Sequence, residues 1–157
     1  MATHVAEIKW AAKESSEEFL KGRFSRAHTV SFDGGTEVPA SASPHVVGKW
    51  AVEAAVDPEE MLVASLSSCH MLSFLHLARM AGFTVTTYED RAEGTTAEIA
   101  PGRLAVTQVK LRPKIEWASA APPKEELDRL HHQAHEICFI ANSVKTQVSV
   151  EEDRPSP

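Results

Sequence analysis

The stretch from Met61 to Ala78 runs for eighteen residues without a formally charged side chain, and Glu59, Glu60 and Arg79 bracket it tightly. A run of that length is either the central helix of a folded core or, at about the lower limit of length, a membrane span. Four serines (65, 67, 68 and 73) and two histidines (70 and 76) interrupt it, which favours a buried helix of a soluble protein. Its ends are marked. Asp57 is a capping residue, Pro58 suits the first helical position, and Glu59 and Glu60 match the positive end of the dipole. Gly82 suits a left-handed stop. The spacing predicts a helix from Asp57 to about Ala81, apolar on most sides and therefore central.

The remaining pattern is arranged around this helix. Residues 5–10, VAEIKW, read as a strand. The segment SSEEFLKGRFSRAHTVSFDGGTEVPASASP reads as a hairpin turning at Gly34-Gly35. Residues 42–56 are loop-like. FTVTTYEDRAEGTTAEI and RLAVTQVKLRPKIEW alternate as two or three strands. A second helix opens at Pro122-Pro123 and runs through Asn142, with Leu127, Leu130, Ala134, Ile137, Cys138 and Ala141 at helical spacing. VKTQVSVEED supplies a last strand, and residues 151–157 read as a frayed tail. The order β–β–β–α–β–β–α–β implies an α+β fold: one domain over 1–157 with its core at about 5–150, and two main helices on a largely antiparallel sheet.

Charge narrows the partners. Sixteen basic against twenty-two acidic residues give net −6 with no basic block, which argues against nucleic acid and against an anionic membrane surface. No secretory pattern opens the chain, and two widely spaced cysteines make neither a disulfide scaffold nor a CxxC motif. A cytoplasmic, reducing location is the expectation.

Those two cysteines, Cys69 in SLSSCHMLSFL and Cys138 in HEICFIANS, sit on the two helices. Free cysteine usually behaves as a small hydrophobe. Helix packing can nevertheless bring the two together, and a disulfide needs Cα atoms within about 7 Å. Cys138 lies near a helix C-terminus, where the dipole opposes a thiolate. Cys69 is mid-helix and needs a nearby cation to become reactive, which makes it the better nucleophile of the pair. His131, His132, His135 and Cys138 form an H-x3-H-x2-C series that is a metal-ligand alternative to a polar helix face. His70 points about 100° away from Cys69 on the helix and reads as a packing or hydrogen-bonding residue.

DPEEMLVASLSSCHM resembles the NPE(E/Q)-L-x-A-A-x-x-A-C element of the osmotically inducible protein C / organic hydroperoxide resistance (OsmC/Ohr) family. AHEICFIANS is similar to that family's second cysteine element, and RAHTVSFDGG to its arginine-bearing hairpin. The similarity spans about residues 5–150 in order. It implies an intertwined α+β homodimer and a thiol peroxidase that needs no metal or organic cofactor. Hydroperoxide would be the substrate and a small or protein-bound dithiol the reductant. By the resemblance, Cys69 is the peroxidatic cysteine, Cys138 the resolving one, and Glu59 orients an arginine, Arg26 or alternatively Arg23. Ten helical residues span about 15 Å, so Glu59 would serve the Cys69 of a second chain across a two-fold axis. Leu66, Met71, Leu72, Phe74 and Trp50 are the expected apolar pocket. Phe139 stands where the family commonly has proline, and His70 is a second departure. The alternative reading is a dimer of the same fold that binds an apolar small molecule and keeps its cysteines for structure.

Overall fold

The computed structural model describes residues 1–151, in two compact units, the first Met1–Met61 and the second beginning at Leu62. The sequence expectation of a frayed tail lies outside the described residues from position 152 onward.

The first unit is a three-stranded antiparallel sheet, β1 (Ala6–Lys9), β2 (His28–Phe32) and β3 (Glu37–Ala40), in the order β1-β2-β3. Val30 pairs with Ile8 on one side and Val38 on the other. The hairpin turns where expected: Gly35 adopts φ 81° and its N–H donates to the Phe32 carbonyl at 2.9 Å. Two short helices are absent from the sequence expectation, α1 (Ser16–Leu20) and α2 (Pro44–Val47), the latter followed by a 3₁₀ turn over Gly48–Trp50. Each starts at a serine. Ser15 Oγ accepts the Glu18 N–H at 3.3 Å, and Ser43 Oγ accepts the His45 N–H at 3.4 Å.

The long helix, α3 (Pro58–Met80), is where the sequence places it. The Asp57 carboxylate accepts the Glu60 N–H at 2.7 Å and the Glu60 carboxylate accepts the Asp57 N–H at 2.9 Å, so the two cap each other reciprocally. At the other end Gly82 takes φ 86°. Its N–H donates to Arg79 and the Phe83 N–H donates to Ala78, which satisfies the last carbonyls.

The second unit packs two sheets and a helix on α3. Strands β4 (Val85–Asp90) and β7 (Pro113–Trp117) form an antiparallel pair. Strands β5 (Glu93–Ala100) and β6 (Arg103–Leu111) form a hairpin, and β8 (Gln147–Val150) joins β6 in parallel. The two or three strands expected here are therefore four. Helix α4 (Lys124–Ile137) lies between β7 and β8 in sequence. Leu66 buries against Val109 and Leu111 of β6. Phe74 and Ala78 bury against Leu130 and Ala134 of α4, with Trp117 and Phe83 alongside.

Two expectations are corrected. Helix α4 ends at Ile137 rather than Asn142, and the chain re-forms as a 3₁₀ turn over Ala141–Ser143. Polar side chains drive this: the Asn142 amide donates to the Glu136 carbonyl at 2.9 Å, and Ser143 Oγ donates to that of Phe139 at 2.7 Å. Nor is α3 buried all round. One stripe, Leu66, His70, Phe74 and Ala78, is buried within the chain, whereas Leu72 is 61% exposed and Met80 66%. By length and composition alone α3 could also cross a membrane.

Candidate active site

The helical repeat of α3 that buries Leu66 and His70 leaves Cys69, one residue before His70, half-exposed at the edge of the stripe. On α4, Leu130, His131 and Ala134 form the buried face, and Cys138 continues it as the first residue beyond the helix, 1% exposed. The Cys138 N–H donates to the His135 carbonyl at 3.3 Å, and its own carbonyl accepts the Asn142 N–H at 3.0 Å. Its sulfur accepts the Ala141 N–H at 3.4 Å. The turn that replaces the expected last helical residues therefore fixes the Cys138 backbone on both sides and donates one N–H to its sulfur.

That thiol neighbours the thiol of Cys69, and both cysteines are free. Burial pushes the Cys138 pKa above the ordinary thiol value and the Cys69 neighbour raises it further, while the Ala141 and Ile140 N–H groups pull weakly the other way. Cys138 is thus held as a protonated thiol beside a partly exposed one. A two-electron oxidation of two such neighbouring thiols gives a disulfide.

Next to the thiols lies a feature no motif revealed. His70 Nε2 and His131 Nδ1 are 3.0 Å apart, with the rings 7° from parallel, and His131 also stacks on Phe74 at 4.3 Å between centroids. Both imidazoles are lowered to about 4. For His70 the causes are burial and then the nearby His135, opposed by Asp90. For His131 they are burial and then His70, opposed by Asp128. The pair is neutral at physiological pH. The histidine and the cysteine of the H-x3-H-x2-C series therefore point to separate partners, His131 to His70 and Cys138 to Cys69. His132 approaches Glu136 at 3.5 Å instead. Among the described residues no group of three or more His, Cys, Asp or Glu side chains is arranged to hold a metal ion. His131, His132 and His135 line one wall of an open cleft of about 550 Å³, with Asp128 and Glu151.

Asp90, at the end of β4, was also unmarked in sequence. It accepts from Ser67 Oγ at 2.5 Å and from the Arg112 N–H at 2.6 Å, tying the turn of α3 before Cys69 to the β6–β7 connection. A carboxylate five residues past a strand start carries no periodic signal, so only the fold could expose it.

The other expected site residues lie in the first unit. Arg26 turns back on its own segment, with its guanidinium 3.4 Å from the Phe24 ring centroid, and donates to the Phe24 and Gly22 carbonyls. Arg23 reaches Glu18 at 3.6 Å. Glu59 is exposed in the first turn of α3, and among the described residues neither arginine forms an ion pair with it. The expected apolar pocket is corrected: Leu66 and Phe74 fill two separate core clusters, and Leu72 faces outward.

Comparison with known proteins follows the fold. An OsmC-like protein of unknown function from Vibrio cholerae is 47% identical, with a TM-score of 0.89 over 97% of this chain and 99% of that one. An organic hydroperoxide resistance protein from Legionella pneumophila is 19% identical, with a TM-score of 0.67 over 97% and 96%. A further one from Bacillus subtilis is 16% identical, with a TM-score of 0.63 over 95% and 98%. At those identities the last two speak for the fold. No curated protein matches the sequence significantly. The sequence profile of the family described as OsmC-like protein matches residues 51–153. With that match and a 47% identical relative along nearly the whole chain, this protein belongs to the OsmC-like family.

Proposed function

We propose that the protein is a thiol-dependent peroxidase acting on organic hydroperoxides. The observation that carries this reading is that the half-exposed Cys69 thiol and the buried Cys138 thiol are neighbours. The names of the Legionella and Bacillus relatives, organic hydroperoxide resistance proteins, agree with it. The Cys69 thiolate attacks the distal oxygen of ROOH, the O–O bond breaks, and RO⁻ takes a proton to leave as ROH. The resulting Cys69 sulfenic acid condenses with the Cys138 thiol, forming the S–S bond and releasing water. A dithiol then reduces the disulfide by exchange and is itself oxidised.

Arg26, oriented by Glu59, stabilises the thiolate and the departing oxygen in this scheme; Arg23 is the alternative. The protein works in the cytoplasm as a homodimer in which the exposed face of α3, with Leu72 and Met80, is covered by a second copy. No metal or organic cofactor takes part.

Free thiols are counted under denaturing conditions after one equivalent of cumene hydroperoxide. Wild type should lose both, Cys138→Ser should give a trappable sulfenic acid, and Cys69→Ser should not react. Retention of both thiols for minutes in wild type overturns the proposal.

A further inference from the structure

His70 and His131 play no part in the thiol cycle above, yet they are the directional contact between the two helices that carry the thiols. We infer that the His70–His131 hydrogen bond is a positioning device that sets the rotation of α4 against α3, and thereby how readily Cys69 and Cys138 join. The inference rests on the two-cysteine reading.

The geometry is specific. His70 follows Cys69 on α3, and His131 lies seven residues, about two turns, before Cys138, on the same face of α4. The other contacts of that face are apolar: Leu130 and Ala134 against Phe74 and Ala78. Apolar contacts of this kind tolerate sliding and rotation, whereas a 3.0 Å bond between two rings stacked within 7° of parallel does not.

His70 Nδ1 is buried with no partner among the described residues, so Nε2 carries that ring's polar contact, and the proton shared with His131 Nδ1 lies between two buried nitrogens.

Magnitude decides whether this matters. A side-chain atom lies about 5–6 Å from its helix axis, so turning α4 by about 20° moves the Cys138 sulfur by about 2 Å. A displacement of about 1 Å costs reacting groups on the order of a hundredfold. Loss of the bond should therefore show as at least a tenfold fall in the tendency of the two thiols to pair.

The test needs no peroxide. Full-length protein is equilibrated in glutathione buffers (Cys69–SH + Cys138–SH + GSSG giving the disulfide and two GSH), and the equilibrium constant is measured. His131→Phe, which keeps the ring stacked on Phe74 without the bond, should lower the constant about tenfold or more, about 30 mV in potential. His131→Asn, whose side-chain amide can bond where Nδ1 did, should recover most of it. Leu130→Ala should lower the melting temperature and leave the constant within about threefold of wild type. An unchanged constant in His131→Phe overturns the inference.

Should His131→Phe fail to fold, wild type decides. Coupling is reciprocal, so the ¹⁵N resonances of both rings must shift between the diamide-oxidised and reduced protein. Unshifted rings overturn the inference. A disulfide that forms in glutathione but not with hydroperoxide overturns the peroxidase reading alone, and one that never forms overturns both.

Discussion

Cys138 meets Cys69 as a buried thiol beside a half-exposed one, and the Ala141 N–H points at its sulfur from 3.4 Å. The asymmetry assigns reactivity. Burial raises the Cys138 pKa and also blocks approach. In the reduced protein, iodoacetamide should modify Cys69 first, and Cys138 should react at least about tenfold more slowly at pH 8. Peptide mapping after timed quenching checks this, and equal labelling would contradict it.

The buried histidine pair makes stability depend on pH in a defined window. Each ring binds a proton less readily folded, with pKa about 4, than unfolded, near 6.5. Between those values the unfolded chain takes up more protons. The stabilisation is thus complete above pH 6.5, falls as pH falls through the window, and levels off below about 4. One ring contributes on the order of 3 kcal/mol by this route. Glu93, Glu126 and Glu151, all with lowered pKa values, lose their contributions only below about 4.5. Urea midpoints at pH 7, 6, 5 and 4.5 should therefore decline in wild type, and less steeply in His131→Phe.

Gly94 on β5 has no room for a side chain. A Cβ there would lie 2.5 Å from Val63 Cγ2 on α3 and 3.5 Å from Val106 Cγ1. Valine on a helix has one strongly preferred rotamer and yields poorly. Gly94→Ala should cost about 1–3 kcal/mol. Adding Val63→Ala should make the combined loss smaller than the sum of the two single losses, measured by chemical denaturation.

Asp90 accepts two hydrogen bonds, from Ser67 Oγ and the Arg112 N–H. Removing it strands a partly buried backbone donor, so Asp90→Ala should cost about 2–3 kcal/mol. Ser67→Ala removes one bond and should cost about 1 kcal/mol. Thermal denaturation ranks the two, and a larger loss in Ser67→Ala would refute the assignment.

Leu72, 61% exposed on α3, tests the homodimer. Leu72→Glu should leave the chain folded by circular dichroism and shift its sedimentation from dimer to monomer. A wild-type monomer would remove the basis for Glu59 acting on the Cys69 of a second chain.

Local chemistry determined α3 from the sequence alone. Asp57 and Glu60 cap each other, Gly82 takes the left-handed stop, and the uncharged run between them has nowhere to break. The β2–β3 hairpin was legible for the same reason, because its turn needs the positive φ of Gly35. Helices α1 and α2, capped by Ser15 and Ser43, were not legible, because helices this short have no apolar period to announce them. Tertiary structure alone decided that α4 stops one residue before Cys138, since the bonds of Asn142 and Ser143 outweigh continued apolar spacing. It likewise decided that Cys69 meets Cys138, that His70 bonds His131 rather than a metal, and that Asp90 reaches Ser67. Sequence periodicity specifies which face of a helix is buried. Which residue of the opposing helix meets that face depends on crossing angle and axial position, and these are set only when the whole core packs.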